Sequence, residues 1–224
     1  MNEIIPALIP QNLNIVREQF GKILGVAKKV QIDIVDGEYA PVKTWPFNGD
    51  QPDEMLSIAR GEMEFPYIND FVVEVDMLLL HPIEYLPDLI SMGAKSFVIH
   101  LDSTDHLKEC LETIKNCPGC EAGVGVKPSS NMDLLETFVS DANFVQFMGN
   151  EKVGYNGVEL EKTVLEKIKI FHDRHSSIPI QIDIGVNETT IPKLKEAGVS
   201  RFISGSAVFN SKNPKEALAH LSSL

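Results

Sequence analysis

Apolar, β-rich runs recur along the chain at 4–9, 30–35, 71–79, 96–101, 122–126, 144–148, 178–184 and 201–209. Between them the apolar positions shift to helical spacing, at 13–27, 53–60, 83–92, 106–114, 132–139, 158–172, 191–197 and 214–221. Gly93, Gly198 and the Pro118-Gly119 pair sit where helices should stop. Eight strands alternating with eight helices is the pattern of parallel βαβ units. A length of 224 residues is close to the roughly 250 typical of a (β/α)8 barrel. The expected fold is therefore α/β, a TIM barrel forming one domain over 1–224. A doubly wound open sheet is the alternative, and it would usually lack this strict eightfold count. The longest irregular piece, 37–52, carries the only tryptophan, Trp45. Following the second strand, it should overhang the C-terminal face, where barrel active sites form.

Two of these strands carry acids where a buried strand should be apolar. In Gln31-Ile32-Asp33-Ile34 and again in Gln181-Ile182-Asp183-Ile184, the isoleucines take one parity, and the amide and carboxylate take the other. Alternate residues of a strand face opposite sides. Each segment thus turns a carboxylate into the barrel, and burying one without partners is costly. The same parity places Glu74 and Asp76 on the third strand, His100 on the fourth, and Gln146 and Met148 on the sixth, with Lys127 after the fifth. Glu74 and Gln146 lie deeper, which suits an internal network. Asp33 and Asp183 lie near the strand tops and are the functional candidates. Glycine turns follow the last three strands: Gly154-Tyr155-Asn156-Gly157, Gly185-Val186-Asn187 and Gly205-Ser206. Glycine lets backbone N–H groups approach an anion closely, and barrels often hold phosphate after strands 7 and 8.

The formal net charge of −12 argues against nucleic acid or an anionic membrane as partner. A phosphorylated substrate would need local backbone donors to overcome that field. Neither a basic-then-apolar leader nor a run of ~20 apolar residues is present, so a cytoplasmic protein is expected. Cys110, Cys117 and Cys120 are an odd count suited to a reducing compartment. Cys117-Pro118-Gly119-Cys120 reads as a helix-to-strand turn with incidental thiols. Zinc or redox use, with His106 nearby, is the less favoured reading.

Together these segments resemble the ribulose-phosphate 3-epimerase family over nearly the whole chain. Asp33-Ile34-Val35-Asp36-Gly37 followed by Pro41 is similar to its D-x-M-D-G-x-x-x-P, and Glu74-Val75-Asp76-Met77-Leu78 to D-V-H-L-M. Met148 with the 154–157 loop resembles M-S-V-x-P-G-F-G-G, and Asp183-Ile184-Gly185-Val186 resembles D-G-G-V. Gly205-Ser206-Ala207-Val208-Phe209 resembles G-S-A-I-F. The resemblance implies a ribulose-phosphate-binding type of barrel that epimerises a phosphorylated ketose at C3 through an enediolate. Asp33 and Asp183 would be the acid–base pair. Gly154, Gly157, Gly185, Gly205, Ser206, Met148, His100 and Lys127 would contact substrate and phosphate, although His100 is at least as well read as a hydrogen-bonded core histidine.

The family's two metal-binding histidines are replaced by Gln31 and Asp76, its N-terminal serine by Pro10, two site methionines by Val35 and Leu78, and its first D-G-G glycine by Ile184. Three readings follow. Gln31, Asp33, Asp76 and Asp183 offer oxygen ligands only, a set favouring Mg2+ or Mn2+ over zinc or iron. Lys127 is the alternative stabiliser of an enediolate with no metal, or, ranked third, a Schiff-base lysine in a phosphosugar aldolase. It is equally well read as the ion-pair partner of an acid. A sugar-phosphate-binding barrel without turnover is the competing class. Asp36 reads as a brace for the loop after the second strand. The resemblance also allows a homo-oligomer.

Overall fold

A computed structural model describes residues 2–49, 52–155 and 157–224. Its strands are β1 (Glu3–Leu8), β2 (Lys29–Val35), β3 (Val72–Leu78), β4 (Ser96–His100), β5 (Glu121–Val126), β6 (Phe144–Met148), β7 (Ile180–Asp183) and β8 (Arg201–Ser204). They pair in parallel in sequence order and close with β8 beside β1. The helices wrapping them are α1 (Leu13–Gly21), α2 (Pro52–Ala59), α3 (Pro82–Ser91), α4 (Leu107–Lys115), α5 (Met132–Glu136), α6 (Lys162–Arg174), α7 (Ile191–Glu196), α8 (Ser206–Phe209) and α9 (Pro214–Ser223). The expected eightfold barrel is thus present. Among the described residues no helix is long and apolar enough to cross a membrane.

Parity sorts the strands into two environments. Outward residues such as Ile32, Ile34, Val73, Val75, Phe97 and Ile99 form the main core with helix residues such as Leu86, Leu89 and Leu111. The inward residues are largely polar, where barrels usually carry branched aliphatics. Gln31, Glu74, Asp76, His100, Gln146 and Gln181 are all completely buried. Ile5, Ala7 and Ile203 form a small apolar cluster on the β8–β1 side of the interior.

Several boundaries differ from the sequence reading, each for a local reason. The run 201–209 is not one strand. β8 ends at Ser204, and Val208 and Phe209 return their N–H groups to Gly205 O at 3.1 and 2.9 Å, forming α8. So short an apolar run has no period that separates strand from helix. Helix α6 begins at Lys162 rather than 158, because Glu161 N–H binds Gly149 O (2.8 Å) and Asn150 Nδ2 binds Glu159 O (3.1 Å). Those bonds tie 158–161 to the end of β6 as a loop. Helix α1 stops at Gly21, and the 22–26 segment continues as turns. Cys117 and Cys120 bring their sulfurs together across the Pro118-Gly119 turn. Cys110 is free and buried; burial, with Glu109 nearby, pushes its thiol up to about 12. Asp50 and Gln51 of the long loop and Asn156 of the glycine turn lie outside the described residues.

Candidate active site

The C-terminal mouth of the barrel holds a cavity of about 470 Å³. Asp33, at the inward end of β2, and Asp183, ending β7, both line it. So do Gly154, Gly157, Gly185, Gly205 and Ser206. Seven residues singled out in the sequence are therefore brought to one space. Met148, His100 and Lys127 are not in its wall, and neither are Gln31 and Asp76.

Local chemistry explains the positions. On β2, Val35 N–H donates to Thr44 Oγ1 (2.9 Å), and that hydroxyl donates to Asp33 O (3.0 Å), pinning the returning loop to the strand. Asp36 braces the same loop as expected. Its Oδ1 accepts from Glu38 N–H (2.7 Å) and Tyr39 N–H (3.0 Å), and its Oδ2 accepts from Leu80 N–H (2.7 Å). Beyond β7, Ile184 has φ +73° and Gly185 φ +78°. Glycine adopts that conformation freely, and a Cβ on Gly185 would lie 2.6 Å from Leu160 N. For a β-branched isoleucine it is strained, by about 1–2 kcal/mol. Packing offsets this: Ile184 is buried with Val35, Ala40, Leu78, Met148 and Val153. The apolar cluster includes the β6 loop, and a Cβ on Gly154 would lie 2.8 Å from Val42 of the β2 loop. Met148 therefore belongs to the plug formed by these two loops rather than to the cavity wall.

The two acids sit in an unusual field. Asp33 is 5% exposed, and its Oδ1 has no hydrogen-bond partner among the described residues. Burial, then the charges of Asp183, Asp76 and Glu74, holds its carboxyl well above the usual range. Burial and Asp76 push Asp183 up to about 7, against the opposing hydrogen bond from Ile184 N–H to its Oδ1 (2.7 Å). Among the described residues no lysine, arginine or histidine lines the cavity. Burial and the neighbouring acids thus oppose ionisation of both carboxyls.

Lys127 lies elsewhere at the mouth, its Nζ 4.9 Å from the centre of the Tyr39 ring. His100 also lies beside that ring, 5.5 Å away. Burial and the carboxylates of Asp102, Asp76 and Glu151 push the Tyr39 hydroxyl up. Nothing in the sequence singled out Tyr39, an ordinary loop aromatic until the β2 loop folds inward. Asn187, also in the cavity wall, had a readable signal: it precedes Thr189 and Thr190, and its Oδ1 accepts both their N–H groups (2.9 and 3.1 Å).

The donors proposed for a metal do not form a ligand set as they stand. Asp76 Oδ1 is engaged by His100 Nε2 (2.7 Å) and Oδ2 by Gln146 Nε2 (2.8 Å). Gln31 gives its amide hydrogens to Glu74 and Gln146, although its Oε1 has no partner among the described residues. Among the described residues no group of three or more His, Cys, Asp or Glu is placed to hold an ion.

Comparison with known proteins adds to this geometry. The sequence profile described as the Ribulose-phosphate 3 epimerase family matches residues 3–209. Ribulose-phosphate 3-epimerase of Aquifex aeolicus is 25% identical, with 100% of this chain and 97% of that protein covered. The Bacillus subtilis enzyme of the same name is 27% identical over 88% of this chain and 87% of its own length. Among solved structures, 3-hexulose-6-phosphate synthase from Salmonella typhimurium superposes with a TM-score of 0.71 at 15% identity, covering 100% of this chain and 97% of that one. That likeness speaks to the barrel alone.

Proposed function

The chain belongs to the ribulose-phosphate 3 epimerase family, and from that footing we propose that it epimerises a phosphorylated ketopentose at C3, with Asp33 and Asp183 as its acid–base pair. The observation that carries this reading is the meeting of two carboxylates in one cavity with three glycine turns and, among the described residues, no cationic side chain in its wall. One carboxylate, ionised, takes the C3 proton and leaves a 2,3-enediolate. The other, protonated, returns a proton to the opposite face of C3, which inverts the centre. The reverse reaction exchanges their roles, as a pair sharing one proton permits. Such an epimerisation changes no oxidation state and needs no co-reactant. Backbone N–H groups at Gly185, Gly205 and Ser206 are the donors suited to the phosphate, since no cationic side chain lines the wall among the described residues.

Nothing favours a lysine-dependent aldolase: Lys127 rests on Tyr39, outside the cavity wall. The test is incubation with D-ribulose 5-phosphate and identification of the product, beside calorimetry with the same compound. Xylulose 5-phosphate is the expected product. Heat of binding with no product would instead identify a binding barrel.

A further inference from the structure

Beneath the two acids, six polar side chains form one hydrogen-bonded network. Gln31 from β2 and Gln181 from β7 each donate from Nε2 to the same two acceptors. These are Glu74 Oε1, at 3.0 and 2.8 Å, and Gln146 Oε1, at 3.1 and 2.7 Å. Gln146 then donates from Nε2 to Asp76 Oδ2 at 2.8 Å, and the other Asp76 oxygen meets His100 Nε2 at 2.7 Å. Chemistry dictates these orientations. Glu74 also accepts from Ser96 Oγ and Lys29 Nζ, both at 2.6 Å, and an ionised carboxylate can only accept. Gln31 and Gln181 must therefore present N–H groups to it. The Gln146 oxygen faces the same two amides, which leaves its NH2 for Asp76. The barrel makes room for the last member: β5 has Gly125 opposite His100, where a Cβ would lie 2.7 Å from His100 Nδ1.

This network engages two of the four side chains, Gln31 and Asp76, that the sequence offered as ligands for an ion. Asp76 stands level with Asp33 in the β2–β3 register, yet both its oxygens already hold N–H donors. Of the four oxygen-bearing side chains, Gln31 and Asp33 keep one buried, unpaired oxygen each among the described residues. With both Asp76 oxygens engaged, Asp33, Asp183 and the Gln31 carbonyl are what is left of the proposed oxygen donors.

We propose that the Gln31–Glu74–Gln181–Gln146–Asp76–His100 network stands in place of a divalent ion beneath the acid pair, so that this chain acts without one, and that His100, through Asp76, is a positioning residue. The role of His100 rests on the acid–base reading given above; the substitution for the ion does not. His100 and Gln146 hold the Asp76 charge beside Asp33, so moving it changes the field in which Asp33 and Asp183 exchange protons.

The experiment has two arms. EDTA-treated protein is dialysed against Mn2+, Co2+ or Zn2+ and its bound metal measured by mass spectrometry, for the wild type and Asp33→Asn. No stoichiometric uptake is expected in either. One ion per chain that disappears in Asp33→Asn overturns the substitution. In parallel, C3 proton exchange on ribulose 5-phosphate is followed in EDTA for His100→Leu and His100→Gln. His100→Leu is expected to lower kcat about 10- to 100-fold, as removal of an orienting partner does, with KM little changed. His100→Gln keeps an N–H donor for Asp76 and should recover most of the rate. An undiminished kcat in His100→Leu, or no recovery in His100→Gln, overturns the positioning role. If the wild type exchanges nothing, the acid-pair reading falls and takes the role of His100 with it, while dialysis still decides the ion.

Discussion

The two ends of the barrel interior treat charge in opposite ways. At the N-terminal end, acids are answered by bases. Lys29 Nζ is 2.6 Å from Glu74 and 3.2 Å from Glu121, and Arg201 reaches Glu121 and Glu3 at 3.4 Å. Although burial pushes the Glu121 carboxyl up, Lys29 and Arg201 outweigh it and hold it below its ordinary range. On the same strand as Lys29, Asp33 has Asp183 and Asp76 as its charged neighbours and no cation within ion-pair distance among the described residues. Buried ions usually survive only in pairs. An uncompensated acid at the mouth is what the proposed acid–base role of Asp33 requires, at the expense of stability.

The sharpest way to break this contrast is Asp33→Asn. It should lower C3 exchange about 10²–10⁴-fold, the usual worth of a positioned acid or base. Its denaturation midpoint should rise, because a carboxyl whose ionisation burial opposes is replaced by a neutral amide. A lowered midpoint would mean that Asp33 is held as firmly as Glu74. Next is Lys29→Met, which strands Glu74 and should cost about 3 kcal/mol in urea denaturation. Exchange per folded molecule should stay near wild type. A stability change under half that size would show that Ser96, Gln31 and Gln181 already satisfy Glu74.

The pH dependence is smaller and has a definite sign. The folded pKa values of Asp33 and Asp183 lie above their unfolded values, so the folded state binds more protons through that window. Their contribution to stability is fully present below the ordinary carboxylate value of about 4 and is lost as pH rises through the folded value. For Asp183 that value is about 7. Chemical denaturation from pH 4 to 8 should show this decline, and Asp33→Asn should flatten it. The smallest effect belongs to Lys127→Met, which should cost about 0.5–1 kcal/mol through its contact with Tyr39. Borohydride added with ribulose 5-phosphate should trap no lysine, as mass spectrometry would register.

Much of the fold was readable because strand and helix periods alternate without a break. The same parity that made Ile32 and Ile34 outward placed Gln31 and Asp33 inward, and the structure agrees. What parity cannot supply is reach across the barrel. Parity put His100 and Lys127 on the inward side, yet neither lines the cavity. Gln181 repeated the Gln31 pattern openly, yet its two bonds to Glu74 and Gln146 depend on side chains 107 and 35 residues away. The start of α6 and the end of β8 were misplaced because both are set by hydrogen bonds to Gly149 and Gly205, not by hydrophobic period.

The most direct test of the central claim is proton NMR of ribulose 5-phosphate in D2O with EDTA, using the wild type, Asp33→Asn and Asp183→Asn. Deuterium should enter C3 with formation of xylulose 5-phosphate in the wild type, and both should be lost in each variant. Exchange that persists in either variant would contradict the two-acid account.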